Sequence, residues 1–391
     1  MRSVSNRMKI WVNMFVLMVI LFAYTHISVP IKFMGGYENS TEPSPPAMGS
    51  LSFRSSITDR NQETPESNQV KNGDYGKLPW WDGGDYLCDN NATWASLSPH
   101  RDKRKLKLTK DFGTCGRRAA ADGDNQKVIS FSLYGKDPEY WNGLPEILSD
   151  AKHLYPGWKV WIYTNPRNQM KILCPLLQNH SHLRICDVTN LPHPLNNITN
   201  VHPMFWRISP LGDPKVESLL VRDSDSKLTE REQKAVQEWL ESGKTFHVMR
   251  DHPMHNVPIL GGMWGANWAQ KINENSSDSK QGPSFSRRGF SAKNLRRIRN
   301  QLFVEAFEYG AYGFDQVLLA RLLWPSMKSV MVHDSFYCEV YVLGWRPWPT
   351  QRINGAFVGS PNYRKEYAND TLVKECTSAC RPPDHPDWLY C

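Results

Sequence analysis

From Lys127 the chain reads KVISFSLYG, a β-branched and apolar run closed by Gly135, and this pattern predicts a buried first strand. A helix is predicted from about Glu139 to His153, then a turn at Pro156-Gly157 and strands over Lys159 to Thr164 and Leu183 to Val188. Further along, VESLLV predicts a strand from Val216 to Val221, after which an acidic turn gives way to a helical pattern. Thr229 and Glu232 match a capping box there, with Ala235, Val236, Trp239 and Leu240 as the apolar stripe. Phe246 to Met249 reads as a short strand and residues 273 to 286 as a Ser/Asn/Gly loop. Helices are expected from about Asn294 to Tyr309 and from Phe314 to Leu323, before a late strand at Ser329 to Val332. Strands alternating with helices at this spacing define an α/β architecture with mostly parallel pairing.

Ahead of this region the pattern is different. MRSVSNRMK carries Arg2, Arg7 and Lys9, and an apolar run follows from Ile10 to about Val29. A run of this length predicts a helix that spans the bilayer, with the basic flank (residues 1–9) cytoplasmic and the rest of the chain lumenal. A cleaved signal peptide is the rival, but no small-x-small cleavage site follows the run, where Tyr24, His26 and Pro30 stand. Residues 30–77 are rich in Ser, Thr, Pro, Glu, Asn and Gly and read as a flexible stem. Residues 78–126 form an extension carrying LPWWDGGDYLC and the basic run RDKRKLKLTK, residues 127–365 the main domain, and residues 366–391 a cysteine-containing tail.

Composition narrows the class. The 391 residues are 40% hydrophobic, 12% aromatic and 22% charged, which excludes wholesale disorder. A formal net charge of +8 suits nucleotides, acidic glycans or lipid headgroups equally. N-x-S/T sequons at Asn39, Asn91, Asn179, Asn197, Asn275 and Asn369 agree with a lumenal body. So do the eight cysteines, an even number that an oxidising lumen would pair. Cys174 with Cys186, and two of Cys376, Cys380 and Cys391 with each other, are the short-range pairings open to them.

The chemistry centres on Asp223-Ser224-Asp225, at the carboxyl end of the strand ESLLVR. Ligands of open α/β sheets bind outside the carboxyl ends of the strands, so this acidic pair faces the expected crevice. A divalent cation held by one or two carboxylates, and completed by diphosphate oxygens and water, is the usual arrangement for Mg²⁺ or Mn²⁺ nucleotides. The tripeptide alone says little, because Asp122-Gly123-Asp124 repeats it in the loop before the first strand. Other polar groups gather further on: Asp251, His252 and His255, then Gly261-Gly262, Asp315-Gln316 at a helix start, and His333-Asp334 past a strand. Arg222 and Arg250, each beside an acidic residue, suit either phosphate contact or structural ion pairing.

The order of anchor and stem, strand, D-x-D, Gly-rich segment, Asp-Gln helix and late His resembles type II Golgi glycosyltransferases of the GT-A fold, nearest the retaining, glycogenin-like branch. The resemblance covers about Lys127 to Ser360, and the segment from RDSDSKLTEREQ through GGMWG resembles uncharacterised animal glycosyltransferase-like proteins still more. It implies a single GT-A-like (Rossmann-like) nucleotide-sugar domain with a mixed, mostly parallel sheet. It further implies that Asp223, Asp225 and His333 hold Mn²⁺ (or Mg²⁺), that Asp315 sits beneath the anomeric carbon beside Gln316, and that Gly261 and Gly262 lie near the sugar. Asp251 joins Asp315 and Gln316 as a candidate catalytic group, and Arg222 and Arg250 join the glycines as candidate donor contacts. The branch carries a lysine-containing motif after its late His, where this chain has Asp334 and Ser335. The implied donor is a UDP-sugar, the acceptor a glycan or glycoconjugate, and the location the Golgi or ER membrane, with a homodimer left open.

Two other readings compete. A metal-dependent hydrolase would use Asp223, Asp225, Asp251, His252, His255 and His333, although no H-E-x-x-H spacing is present. A membrane-anchored glycan-binding module or pseudoenzyme would stack sugars on tryptophans such as Trp80, Trp81 and Trp264. The basic segment RRGFSAKNLRRIR would suit nucleic acid, but a lumenal location argues against that partner, and the segment could equally attract an acidic acceptor or be a solvated helix face.

Overall fold

The computed structural model describes residues 79–82, 112–167, 169–268, 291–307, 313–363 and 371–391. Every described residue belongs to the compact unit Lys71–Cys391. The expected membrane span at 10–29 and the stem therefore lie outside the described residues. Among the described residues no helix is long and apolar enough to cross a membrane.

Eight strands form one sheet: β1 (Gln126–Ser132), β2 (Lys159–Thr164), β3 (Leu183–Asp187), β4 (Val216–Arg222), β5 (Phe246–Arg250), β6 (Met263–Asn267), β7 (Val330–Asp334) and β8 (Trp345–Arg346). Their order is β3-β2-β1-β4-β6-β5-β7-β8, and all neighbours are parallel except β6, which runs antiparallel to β4 and β5. The helices are α1 (Arg117–Ala120), α2 (Pro138–Asn142), α3 (Leu144–Leu154), α4 (Met170–Asn179), α5 (Glu230–Ser242), α6 (Ala292–Glu305) and α7 (Phe314–Leu318). This is the α/β architecture with mostly parallel pairing that the periodicity predicts, in the mixed, Rossmann-like form that the resemblance implies.

The central strands read as continuous apolar runs because both faces of the sheet are covered. On one face Val128, Trp161, Tyr163, Leu219 and Val221 pack with Phe205 and Ile208 of a 3₁₀ turn (Pro203–Ile208) and with Leu295 and Leu302 of α6. On the other, Ile129, Phe131, Val160, Ile162 and Leu220 meet Ile147 and Leu148 of α3, Leu173 of α4 and Trp239 of α5. Strand alternation thus sends each residue of β4 to a known layer.

Several local expectations change. The helix read from Glu139 to His153 is two, α2 and α3, joined at Gly143. A Cβ on Gly143 would stand 2.5 Å from the Tyr363 ring, so this close approach requires glycine. The capping box forms only by half. Thr229 Oγ1 accepts from the Glu232 amide at 3.1 Å, while the Glu232 carboxylate turns inward to Arg222 Nε at 2.5 Å instead of back to the cap. Strand β6 was not read at all, because MWGAN carries a glycine and has no alternating pattern.

The disulfides join Cys115 to Cys186, Cys338 to Cys380 and Cys376 to Cys391. The last is a C-terminal pair of the kind expected, but Cys174 and Cys186 do not pair. Cys186 packs in the layer of Val128, with Cys115, whereas Cys174 belongs to α4 on the opposite face of the sheet. Cys174 is disulfide-bonded as well, and no described cysteine is free.

Candidate active site

A cavity of about 590 Å³ opens at the carboxyl ends of β1 and β4, where the strand order switches direction. Asp223, Ser224, Asp225 and Ser226 line it beyond β4, with Ser132 at the end of β1 and Tyr134 beyond it. Facing them are Gly261 from the turn into β6, Gln316 of α7, Arg207 of the 3₁₀ turn, and His252, His255 and Phe357.

Arg207 ties this site together. Its Nη1 donates to Asp223 Oδ1 and its Nη2 to Asp315 Oδ2, the latter at 2.8 Å, while its own backbone amide donates to Ser132 Oγ at 2.8 Å. Burial by itself would lower the Arg207 pKa, but Asp223 and then Asp315 reverse this and raise it, so the guanidinium is a permanent cation. Asp315 is 1% exposed, and burial pushes its carboxyl above the usual carboxylate range against the pull of Arg207. Asp315 Oδ1 and Arg207 Nε are buried with no hydrogen-bond partner among the described residues. Two unsatisfied polar atoms on one ion cluster are a cost that function explains more readily than stability does.

The glycine pair makes this closeness possible. A Cβ on Gly261 would lie 2.1 Å from Asp315 Oδ2 and 2.6 Å from Arg207 Nη2, and one on Gly262 would lie 2.0 Å from Asp223 Oδ2. Antiparallel β6 starts one residue later, with Met263 opposite Arg222, and so carries the glycines to the end of β4. Across the cavity, His252 Nδ1 accepts from the Met254 amide and His255 Nδ1 from the Asp251 amide, both at 3.1 Å. Each bond sets the tautomer with the proton on Nε2. Burial, helped by the nearby His252, pulls the His255 imidazole down to about 3, so it is a neutral donor. The His252 ring lies 4.6 Å from that of Phe357. Burial also pushes the Tyr134 phenol up to about 12.

Four expected site residues stand elsewhere. Arg222 lies on the α5 face of β4, where it pairs with Glu232, whose Oε1 also accepts from Tyr155 Oη at 3.1 Å. Arg250 and Asp334 are neighbours in the β5–β7 register and pair with each other at 2.6 Å. Asp251 receives both Nε and Nη2 of Arg231 at 2.8 Å, and also the Val358 amide and Ser335 Oγ. His333 is fully buried against His247, Nδ1 to Nε2 at 2.8 Å, with its Nε2 3.2 Å from Glu238. The ligand set of Asp223, Asp225 and His333 is therefore not assembled, nor is the larger hydrolase cluster. Among the described residues no group of three or more His, Cys, Asp or Glu side chains is placed to hold a metal.

The second D-x-D copy is structural. Asp122 takes Arg184 Nε at 2.7 Å and Lys159 at 3.1 Å. Arg207 is the residue that sequence reading missed. Its only signal was a charge set within the apolar run PMFWRI, where an arginine must find partners if it is buried.

The fold and site thus define an α/β protein of Rossmann-like architecture with an acidic cavity at the switch point of its sheet. No protein family matches this chain, and no curated protein is similar to it. Among solved structures it is similar to 4-diphosphocytidyl-2C-methyl-D-erythritol synthase from Anaerococcus prevotii, at 10% identity and a TM-score of 0.32, covering 55% of this chain and 88% of that one.

Proposed function

We propose that this protein transfers a glycosyl group from a nucleotide sugar, a UDP-sugar by resemblance, to a glycan or glycoconjugate in the secretory pathway, held to the membrane by residues 10–29. The observation that carries this reading is the linkage of Asp223, on the wall of the switch-point cavity, through Arg207 to the buried Asp315. It joins the acidic pair of a metal–diphosphate site to a buried carboxylate at a helix start, as transfer from an anionic donor requires.

Asp223, Asp225 and the hydroxyls of Ser224 and Ser226 are an oxygen-only donor set on the cavity wall, which fits Mn²⁺ or Mg²⁺ completed by phosphate and water. That ion would neutralise charge on the departing nucleoside diphosphate. Arg207 fixes Asp223 and Asp315 relative to each other and offsets their charge. Gly261 and Gly262 let the turn into β6 press against both carboxylates and hold them in place. Asp315 would be the nucleophile in a retaining reaction or the base in an inverting one. His255, kept neutral by burial, can offer an N–H donor to hydroxyls on the far wall, beside His252.

The test is a screen of nucleotide sugars for binding and hydrolysis with Mn²⁺ or EDTA, run beside the double variant Asp223→Ala, Asp225→Ala. The expected result is metal-dependent turnover of one donor, lost in the variant. A folded protein with no metal-dependent nucleotide binding would overturn the reading and favour a glycan-binding module.

A further inference from the structure

Two of the six sequons fall on described residues, and both flank β3, the edge strand at the far end of the sheet from β8. Asn179 is exposed at the last position of α4, four residues before β3 begins, and no hydrogen bond links it to Ser181 among the described residues. The Asn197-Ile198-Thr199 sequon, in the loop after β3, is built differently.

Ile198 is 4% exposed and packs in the core, its amide donating to Val188 O at 2.9 Å and its carbonyl accepting from Trp206 Nε1 at 3.1 Å. The middle residue is thus anchored inward, and Asn197 and Thr199 on either side of it are both exposed. Their side chains are locked to each other. Asn197 Oδ1 accepts from the Thr199 amide at 2.9 Å and from Thr199 Oγ1 at 2.7 Å. Two donors on the carbonyl oxygen set the plane of the carboxamide and orient it. They leave Nδ2 as the side-chain atom with no hydrogen bond to a described residue.

We infer that Asn197 is an N-glycosylation site of the folded protein. In that reaction Nδ2 attacks C1 of an oligosaccharide carried on a lipid pyrophosphate. The N–C1 bond forms, the C1–O bond to the pyrophosphate breaks with its electron pair going to the departing lipid pyrophosphate, and Nδ2 gives up one proton to a base of the transferring enzyme or to water. A glycan there projects from the loop without disturbing the core, because only the outward residues of the sequon change. It also stands clear of the candidate active site, since no residue of this loop lines that cavity. It adds steric bulk in the loop that follows an edge strand. The inference rests on lumenal placement and not on the transferase reading, so the donor screen can fail while this stands.

The experiment expresses the full chain in secretory eukaryotic cells and removes N-glycans enzymatically in heavy-oxygen water, which tags each formerly glycosylated Asn as labelled Asp. The expected result is a tag at Asn197. Asn197→Gln and Thr199→Ala should each remove that tag and one step of gel mobility, and Thr199→Ser should keep both. Donor turnover, where present, should be unchanged in Asn197→Gln. An untagged Asn197 peptide in chains tagged at another sequon overturns the inference, and so does a chain that carries no tag at all.

Discussion

Arg207 Nη2 and Asp315 Oδ2 meet at 2.8 Å although 108 residues separate them, and Asp223 takes the other terminal nitrogen of the same guanidinium. One cation therefore sets the spacing of the two carboxylates on which the proposed chemistry depends. Arg207→Ala would leave Asp315 buried and unpaired, which costs about 3–5 kcal/mol unless the carboxyl takes up a proton. The expected outcome is a lower melting temperature together with a loss of donor turnover of about two orders of magnitude. Arg207→Lys, which keeps the charge but not the fork, should recover stability more than turnover. Thermal melts and single-turnover kinetics on both variants check this, and a melting point unchanged in Arg207→Ala would contradict the structure of the cluster.

Gly262→Ala places a methyl group 2.0 Å from Asp223 Oδ2 and 2.8 Å from the Asp223 amide. The Asp223 side chain is partly exposed and able to move aside, while its backbone amide must shift by a few tenths of an ångström, so the fold should survive with some loss of stability. Displacement of a reacting group by about 1 Å costs about 10²-fold in rate, and that is the expected loss. Comparing the melting temperature with metal-dependent turnover separates the two effects. Equal turnover in Gly262→Ala and the parent protein would remove Asp223 from the mechanism.

His247 and His333 titrate against the fold. Burial lowers both pKa values below 6.5, with the His333 and Arg222 charges adding at His247 and Glu238 opposing at His333. Above pH 6.5 neither state of the protein protonates them, so they make no difference. As pH falls through 6.5 the unfolded chain binds protons that the folded one refuses, and stability drops. The slope is at most about 1.4 kcal/mol per pH unit for each histidine, down to its folded-state pKa. Melting temperatures should fall between pH 7.5 and 5.5, and His333→Gln should flatten the decline. A flat profile in the parent protein would show that the pair is open to solvent.

The α/β class was legible because buried parallel strands leave unbroken apolar runs, and KVISFS and VESLLVR carry them. The position of the acidic pair was legible for the same reason: residues that follow a buried parallel strand stand at its carboxyl end. Arg222, Arg250, Asp251 and His333 were misleading because adjacency in sequence does not say which face a side chain takes. In β4, Arg222 shares its face with Leu220 and so meets Glu232 and Tyr155, while Asp223 lies beyond the strand end. In β7, His333 points toward α5, where it meets His247 and Glu238, and the cavity lies elsewhere.

By itself, then, the sequence determined the alternation of strand and helix, the place of Asp223 and Asp225 at a strand end, and the sequon at Asn197, all local properties of a few consecutive residues. Tertiary structure alone decided that β6 runs antiparallel between β4 and β5, that its leading glycines press on Asp223 and Asp315, and that Arg207 joins the two. Those contacts follow from sheet order and from which layer each side chain enters. Both are set by packing the whole core, over separations that no local pattern encodes.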